Sequence, residues 1–208
     1  DPNLAHIPGR RTVRAYADGA VPEALVDLLL ATSLSASAKS DFQQASVIKL
    51  KNPDTRAKIA ALFPAMSWIG KAPVFLVFCA DARRLQRIST LRDHKQSNGT
   101  FEGFFNATVD AALVMQTFIL AAEAGGLGCC PISVIRNQLP VIGPLLSLPD
   151  QVIPVAGLCI GYPAGPGHIS MRLPPAVTVH TDRYDDSALP REIDAYDRRR
   201  HARHAIAR

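Results

Sequence analysis

The sequence has no apolar stretch long enough to predict a membrane span. Its longest uninterrupted apolar run, residues 72–80, is far short of the roughly 20 residues that cross a bilayer. Near the N-terminus, no charged region is followed by an apolar one in the pattern of a secretory signal. We therefore expect a cytoplasmic protein that has no membrane as a partner.

Cysteine is scarce, with four residues, and their spacing is not the C-x-x-C spacing of metal sites. Cys79, Cys129, Cys130 and Cys159 lie in apolar stretches, which predicts buried free thiols in a reducing compartment. A redox pair of Cys129 and Cys130 is the alternative, although a disulfide between adjacent residues closes a strained ring. The six histidines are scattered along the chain, so no metal site is expected.

The chain also lacks a large excess of positive or of negative charge. The formal net charge is +5, and six arginines lie in residues 191–208. The rest of the chain is nearly neutral, so nucleic-acid binding by the residues before the tail is disfavoured. What remains is a basic C-terminal tail from about residue 191. A tail that binds nucleic acid is the alternative, and it predicts binding that is sensitive to salt.

What the sequence does contain is the composition of a globular protein, with 48% hydrophobic and 20% charged residues. Its 208 residues fit a single domain, which we expect to span 1–208. Apolar and β-branched runs predict strands at 45–50, 74–79 and 152–160, and a last strand at 177–180. Helical patterns lie between them, so the fold class is α+β or an α/β sandwich.

The longest helical pattern starts near residue 100 and continues for about seven turns, until Gly125 and Gly126 end it. Apolar residues recur along one side, and the other side has little charge beyond Asp110 and Glu123. A helix that is apolar nearly all round is buried. In a chain of this size, that favours a helix at a dimer interface.

Arginine is concentrated near the N-terminus, in the sequence Gly9-Arg10-Arg11-Thr12-Val13-Arg14. If this segment is helical, Arg10 and Arg14 lie one turn apart and can face one anion. Guanidinium groups bind phosphate through paired hydrogen bonds, so a phosphate site is one interpretation, and a solvated basic turn is the other. The chain has no G-x-S-x-G or H-E-x-x-H motif, which leaves hydrolase activity without support.

The segment Arg11-Thr12-Val13-Arg14-Ala15-Tyr16 resembles the opening of the FMN-dependent nitroreductase/flavin reductase superfamily, whose pattern is Arg-Ser-x-Arg-x-aromatic. Further similar segments follow in the family's order, among them residues 77–81, 110–128 and 157–163. The last of these, with Arg172-Leu173-Pro174, resembles the group of NADPH-dependent, oxygen-insensitive nitroreductases. The resemblance covers residues 7–184.

This resemblance implies an α+β, nitroreductase-like fold in which helices flank a central, mainly antiparallel sheet. It also implies an intertwined homodimer with one FMN at each subunit interface. The implied activity passes hydride from NADPH or NADH through N5 of FMN to a nitroaromatic, quinone or flavin acceptor, in a ping-pong reaction. No catalytic side chain is implied, because water and the flavin can supply protons, and acceptor specificity is expected in loops such as 85–100.

The resemblance implies cofactor contacts in four places along the chain. They are Arg10, Arg11, Thr12 and Arg14 for the phosphate and ribityl chain; Ser37, Lys39 and Ser40 for contact from the partner subunit; Pro131, Ile132 and Ser133 for the isoalloxazine ring; and Ser170 and Arg172 for the phosphate.

Two positions depart from the family pattern near the ring. Met66 stands where Gln or Asn commonly hydrogen-bonds the flavin, and Pro131 replaces part of a glycine-rich stretch. These departures motivate an alternative function, a flavin-binding module without turnover that acts as a carrier or a redox-responsive regulator. The tail arginines at 198–200, 203 and 208 either pair with the 2′-phosphate of NADPH or form a solvated helix end.

Overall fold

The computed structural model describes residues 6–95 and 100–203. The chain forms two compact units, Asp1–His168 and Ile169–Arg208. The first unit contains a sheet with helices on both faces. The second contains the short helix α7 (Pro175–Thr178) and the helix α8 (Leu189–Arg203).

Strands and helices of the first unit are interleaved along the chain. The strands are β1 (Ala45–Lys49), β2 (Val74–Asp81), β3 (Gly128–Ile132) and β4 (Val152–Gly161). The helices are α1 (Glu23–Ser33), α2 (Pro53–Ala61), α3 (Trp68–Lys71), α4 (Arg83–Leu91), α5 (Phe101–Ala124) and α6 (Leu139–Leu145). The sheet order is β1-β2-β4-β3, and every neighbouring pair is antiparallel. The predicted α+β class, an antiparallel sheet flanked by helices, is therefore confirmed.

Successive side chains of β2 enter two separate cores, one on each face of the sheet. Leu76 and Phe78 join α1 and α5, where the rings of Phe78 and Phe118 meet edge-on with centroids 6.0 Å apart. Phe75 and Val77 join α2, α3 and α6. Because neighbouring side chains of a strand point to opposite faces, the sheet lies between two helical layers. A central strand covered on both faces is apolar throughout, which explains the run that predicted β2.

Helix α5 confirms the prediction of one long helix ending at Gly125. At its start the Thr100 hydroxyl accepts a hydrogen bond from the Gly103 N–H at 3.3 Å. By length and composition α5 would be able to cross a membrane, but one of its sides packs on β2 and α1, as in a core helix. Another side exposes apolar side chains at a spacing of four, namely Phe101, Phe105, Val109 and Leu113.

Three segments differ from the expectations drawn from the sequence. Strand β3 was not predicted, because Gly128 and Pro131 weaken the strand pattern and only pairing with β4 forms it. The strand predicted at 177–180 is wrong, since Pro175 starts the helix α7 there. The segment 85–100 is not a loop throughout, because α4 extends to Leu91.

Candidate functional site

The arginine-rich segment lies along the edge strand β3. Thr12 forms a parallel bridge with Cys129, and the Val13 N–H donates to the Cys129 carbonyl at 3.0 Å. Further along, Tyr16 forms an antiparallel bridge with Pro163. The segment is therefore extended, and the helical spacing assumed for its two outer arginines is wrong. Its β-branched residues, Thr12 and Val13, favour extended backbone.

A glycine in β3 lets this segment approach the sheet closely. A Cβ atom at Gly128 would lie 2.6–2.8 Å from the Cβ and both Cγ atoms of Val13, which real Cβ atoms essentially never do. The Val13 side chain is 7% exposed, so it fills the space above the glycine. The position of the arginines relative to the sheet thus depends on residue 128 being a glycine.

Arg10 forms an ion pair with Glu123, near the end of α5. The Arg10 Nε and a Glu123 carboxylate oxygen are 3.4 Å apart, and the two side chains are 19% and 13% exposed. Within the described residues, Arg10 Nε and both Glu123 carboxylate oxygens are buried and make no hydrogen bond. Burial raises the pKa of Glu123, and the positive charges of Arg10 and Arg11 oppose that rise. The pair borders a cavity of about 330 Å³ that Arg11 and Gly9 also line.

The raised pKa of Glu123 predicts a pH-dependent stability. In the unfolded chain this carboxyl ionises near pH 4.5, and burial keeps it protonated to a higher pH in the folded chain. Its stabilising contribution is therefore complete below pH 4.5 and is lost as the pH rises through the folded pKa. The amide of a Glu123→Gln variant does not titrate. We expect the free energy of unfolding of the wild type, relative to that variant, to fall as the pH rises above 4.5. Denaturant titrations at several pH values measure the difference, and a constant difference would contradict the assignment.

Arg14 has a different partner, the single tryptophan of the chain. The Arg14 guanidinium carbon lies 5.4 Å from the centroid of the Trp68 ring, within the range of a cation–π contact. Burial raises the pKa of the Cys130 thiol, and the charge of Arg14 opposes the rise, so Arg14 also lies near β3. Trp68 was not predicted at the site, because a lone tryptophan belongs to no motif that would indicate it.

The residues expected at the isoalloxazine ring continue the same strand. Pro131 and Ile132 pair with Leu158 and Gly157 of β4, and Ser133 begins the 3₁₀ helix Ser133–Gln138. The structure therefore brings the arginine segment against β3, the strand that contains Pro131 and Ile132 and ends just before Ser133. Both were expected to bind one cofactor, and one strand positions them.

The other expected contacts lie elsewhere. Ser37, Lys39 and Ser40 are exposed in the connection between α1 and β1, beside a cavity of about 490 Å³ that none of the arginines at 10–14 lines. Ser170 and Arg172 belong to the second unit, where the Arg172 guanidinium donates to the Ser170 carbonyl at 3.1 Å. The tail arginines at 198–200 and 203 are exposed on α8, and Arg208 lies outside the described residues.

All four cysteines are free and buried, as predicted. Burial raises the pKa of both Cys79 and Cys159 to about 12, so these thiols are protonated at neutral pH and poorly reactive. In the part of the chain that the structure describes, no group of three or more His, Cys, Asp or Glu side chains is placed to hold a metal ion.

Comparison with known proteins shows which family the chain belongs to. Residues 7–162 match the sequence model described as the Nitroreductase family. This chain belongs to that family. An NAD(P)H-dependent FMN reductase of Bacillus subtilis is 35% identical over 198 residues, which cover 93% of this chain and 79% of that protein. The oxygen-insensitive NADPH nitroreductase of Salmonella typhimurium is 32% identical, over 91% of this chain and 79% of its own length.

Solved structures agree with this membership of the Nitroreductase family. The structure of B. megaterium NfrA1 superposes with a TM-score of 0.92 at 33% identity, over 98% of this chain and 84% of that one. The NADPH:FMN oxidoreductase of Vibrio harveyi, solved in complex with NAD+, has a TM-score of 0.89 at 27% identity, over 99% and 87% of the two chains. The resemblance drawn from the order of the sequence motifs is confirmed.

Proposed function

We propose that this chain is an FMN-dependent oxidoreductase that takes hydride from NADPH or NADH and reduces nitroaromatic, quinone or flavin acceptors. The observation that carries the proposal is the arginine segment, which a glycine of β3 allows to lie against the strand that contains Pro131 and Ile132. Membership of the Nitroreductase family supports it, because relatives over most of this chain are named FMN reductases and an NADPH nitroreductase.

The residues present fit the phosphate end of FMN. Arg10, Arg11 and Arg14 supply planar guanidinium donors, and Thr12 adds a hydroxyl. The Arg10 Nε is buried without a hydrogen-bond partner among the described residues, so it retains a donor for a ligand or a water molecule. A phosphate at this segment would also offset a local excess of positive charge, which Glu123 alone does not balance.

The chain's own residues bind and orient the cofactor. Arg14, held over the face of Trp68, has fewer accessible rotamers than a free arginine and can present its guanidinium edge to a phosphate oxygen. Ser170 and Arg172 are proposed as a second set of residues that contact the phosphate. Backbone groups of Pro131, Ile132 and Ser133 would hold the isoalloxazine ring. When bound, FMN supplies the hydride chemistry at N5, and no side chain is assigned a proton-transfer role.

We infer that the functional unit is a homodimer in which Ser37, Lys39 and Ser40 contact the FMN of the other copy. The exposed apolar stripe of α5 supports this, because four large apolar side chains on one long helix are costly to leave in water. One nitroreductase-like domain, 1–208, with a basic tail from about 191 forms each subunit. The four free buried thiols fit a reducing, cytoplasmic location.

A charge placed in the stripe tests the dimer. We expect Val109→Lys, at a position that is 40% exposed, to convert the dimer into a monomer, because a lysine in an apolar interface loses its hydration. Val141→Lys, at a position of similar exposure on α6, is the matched control and keeps the dimer. Light scattering after size exclusion measures the mass. A monomeric wild type, or a dimeric Val109→Lys, would contradict this interface.

Steady-state kinetics test the proposed activity. With FMN added, NADPH oxidation is followed at several concentrations of a quinone and of a nitroaromatic compound. We expect parallel double-reciprocal lines, because the oxidised product NADP+ must leave before the acceptor takes its place. Intersecting lines would contradict the ping-pong order, and no oxidation with either nicotinamide would contradict the activity.

A further inference from the structure

A buried carboxylate of α5 holds both ends of a loop that contains two of the expected partner contacts, Lys39 and Ser40. Asp110 is 1% exposed, and its two oxygens accept separate hydrogen bonds, from the Lys39 N–H and from the Gln44 N–H, each at 3.0 Å. Asp110 lies 71 residues after Lys39 and 66 residues after Gln44 in the chain. Asp110 thereby closes the segment 39–44 into a loop anchored on α5.

The backbone of this loop is in an unfavourable conformation. Ser40, Asp41 and Gln43 have positive φ angles of 49°, 58° and 51°, a region that residues other than glycine rarely adopt. Such conformations persist only where the surrounding structure holds them, and they cluster at functional sites. The hydrogen bonds to Asp110 maintain this conformation, because they fix the backbone on both sides of the three strained residues.

A second group of bonds fixes the end of the loop to the sheet. The Arg84 guanidinium donates to the Gln43 carbonyl, and to the Ala45 carbonyl at 3.0 Å. The Asp81 N–H, at the end of β2, donates to the Gln44 carbonyl at 2.8 Å. These bonds act only near residues 43–45, whereas Asp110 reaches Lys39 as well. The start of the loop therefore depends on Asp110.

The anchored backbone contrasts with the side chains that the loop presents. Gln44 is fully buried, but Lys39 and Ser40 are exposed. The loop thus offers polar groups to an outside ligand from a fixed backbone, which is how a rigid binding surface is built.

We propose that Asp110 is a positioning residue for FMN binding, which holds the 39–44 loop in the conformation that contacts the flavin of the second copy. The inference rests on the proposed function, because it needs a flavin for the loop to contact. Asp110 touches the loop backbone and not the flavin, so its effect on binding is indirect. Because Asp110 and the apolar stripe lie on one helix, α5 links the loop to the surface proposed for the dimer.

The test compares Asp110→Asn with Glu102→Gln, which removes an exposed carboxylate from the same helix. The asparagine retains one acceptor oxygen and turns an N–H toward the other donor, so one of the two bonds is lost. We expect the Kd for FMN to rise about tenfold or more in Asp110→Asn and to stay unchanged in Glu102→Gln. We also expect the circular dichroism of the flavin bands at saturating FMN to change, a signal that reports the ring's surroundings and not overall stability.

A second pair of variants keeps the proposal testable if Asp110→Asn fails to fold. Lys39→Ala removes the side chain and keeps the N–H, whereas Lys39→Pro removes both, and the extended Ala38 before it tolerates a proline. We expect Lys39→Pro to bind FMN several-fold more weakly than Lys39→Ala. Equal affinities in this pair, or wild-type affinity and an unchanged flavin spectrum in Asp110→Asn, would overturn the positioning role while leaving the proposed function intact. A wild type that binds no FMN would overturn both.

Discussion

Replacing Arg14 by alanine is expected to raise the Kd for FMN by about one to two orders of magnitude. A hydrogen bond between a guanidinium and a phosphate is worth about 1.5–3 kcal/mol, and each 1.4 kcal/mol corresponds to a factor of ten. The contact of Arg14 with Trp68 adds to the effect, because the stacked side chain is already oriented for binding. Titration of the flavin-free protein with FMN, followed by the fluorescence of the single tryptophan, measures the Kd.

One further variant separates the charge of Arg14 from its geometry, and a second is a control at another arginine. Arg14→Lys keeps the charge but loses the planar guanidinium, so we expect a Kd between those of the wild type and Arg14→Ala. Arg92→Ala removes an exposed arginine outside the segment and should bind FMN as the wild type does. If Arg14→Ala binds FMN with unchanged affinity, the phosphate is held elsewhere in the chain.

The second large effect is expected for Gly128→Ala, which places a methyl group against Val13. The added Cβ would lie 2.6–2.8 Å from three atoms of that side chain, including its Cβ, which cannot rotate away. Overpacking of this kind costs about 1–3 kcal/mol of folding free energy. The strain is relieved when the segment 10–14 moves away from β3, so we also expect weaker binding of FMN.

Gly125→Ala is the matched control for that prediction. Gly125 has a negative φ, and an added Cβ there meets nothing closer than 3.4 Å. Thermal unfolding should therefore give similar midpoints for the wild type and Gly125→Ala, and a lower midpoint for Gly128→Ala. Equal midpoints and equal Kd values for all three proteins would contradict the close packing of the arginine segment on β3.

Elements defined by local pattern could be predicted from the sequence. The apolar runs of β2 and β4 reflect strands covered on both faces, and the bounds of α5 follow from an N-cap threonine and a pair of glycines. Strand β3 could not be predicted in this way, because Gly128 and Pro131 weaken its local preference and the neighbouring strand decides its conformation.

The site was predictable in its residue types but not in its contacts. The order of the motifs indicated the arginine segment and residues 131–133, and in the structure the segment lies against β3, which contains Pro131 and Ile132. It did not indicate what holds them, since Glu123 and Asp110 act on groups many residues away in the chain. The available signal was that both are charges on a helix with little other charge, where an unpaired carboxylate would be costly to bury.

The most direct test of the proposed function is the absorbance spectrum of the FMN-loaded protein before and after addition of NADPH without oxygen. We expect flavin bands that bleach with NADPH or, if not, with NADH, and that return when a quinone or nitroaromatic acceptor is added. Bands that persist with both nicotinamides would contradict an oxidoreductase and favour a flavin-binding module without turnover. A protein that takes up no FMN under any loading condition would contradict the site itself.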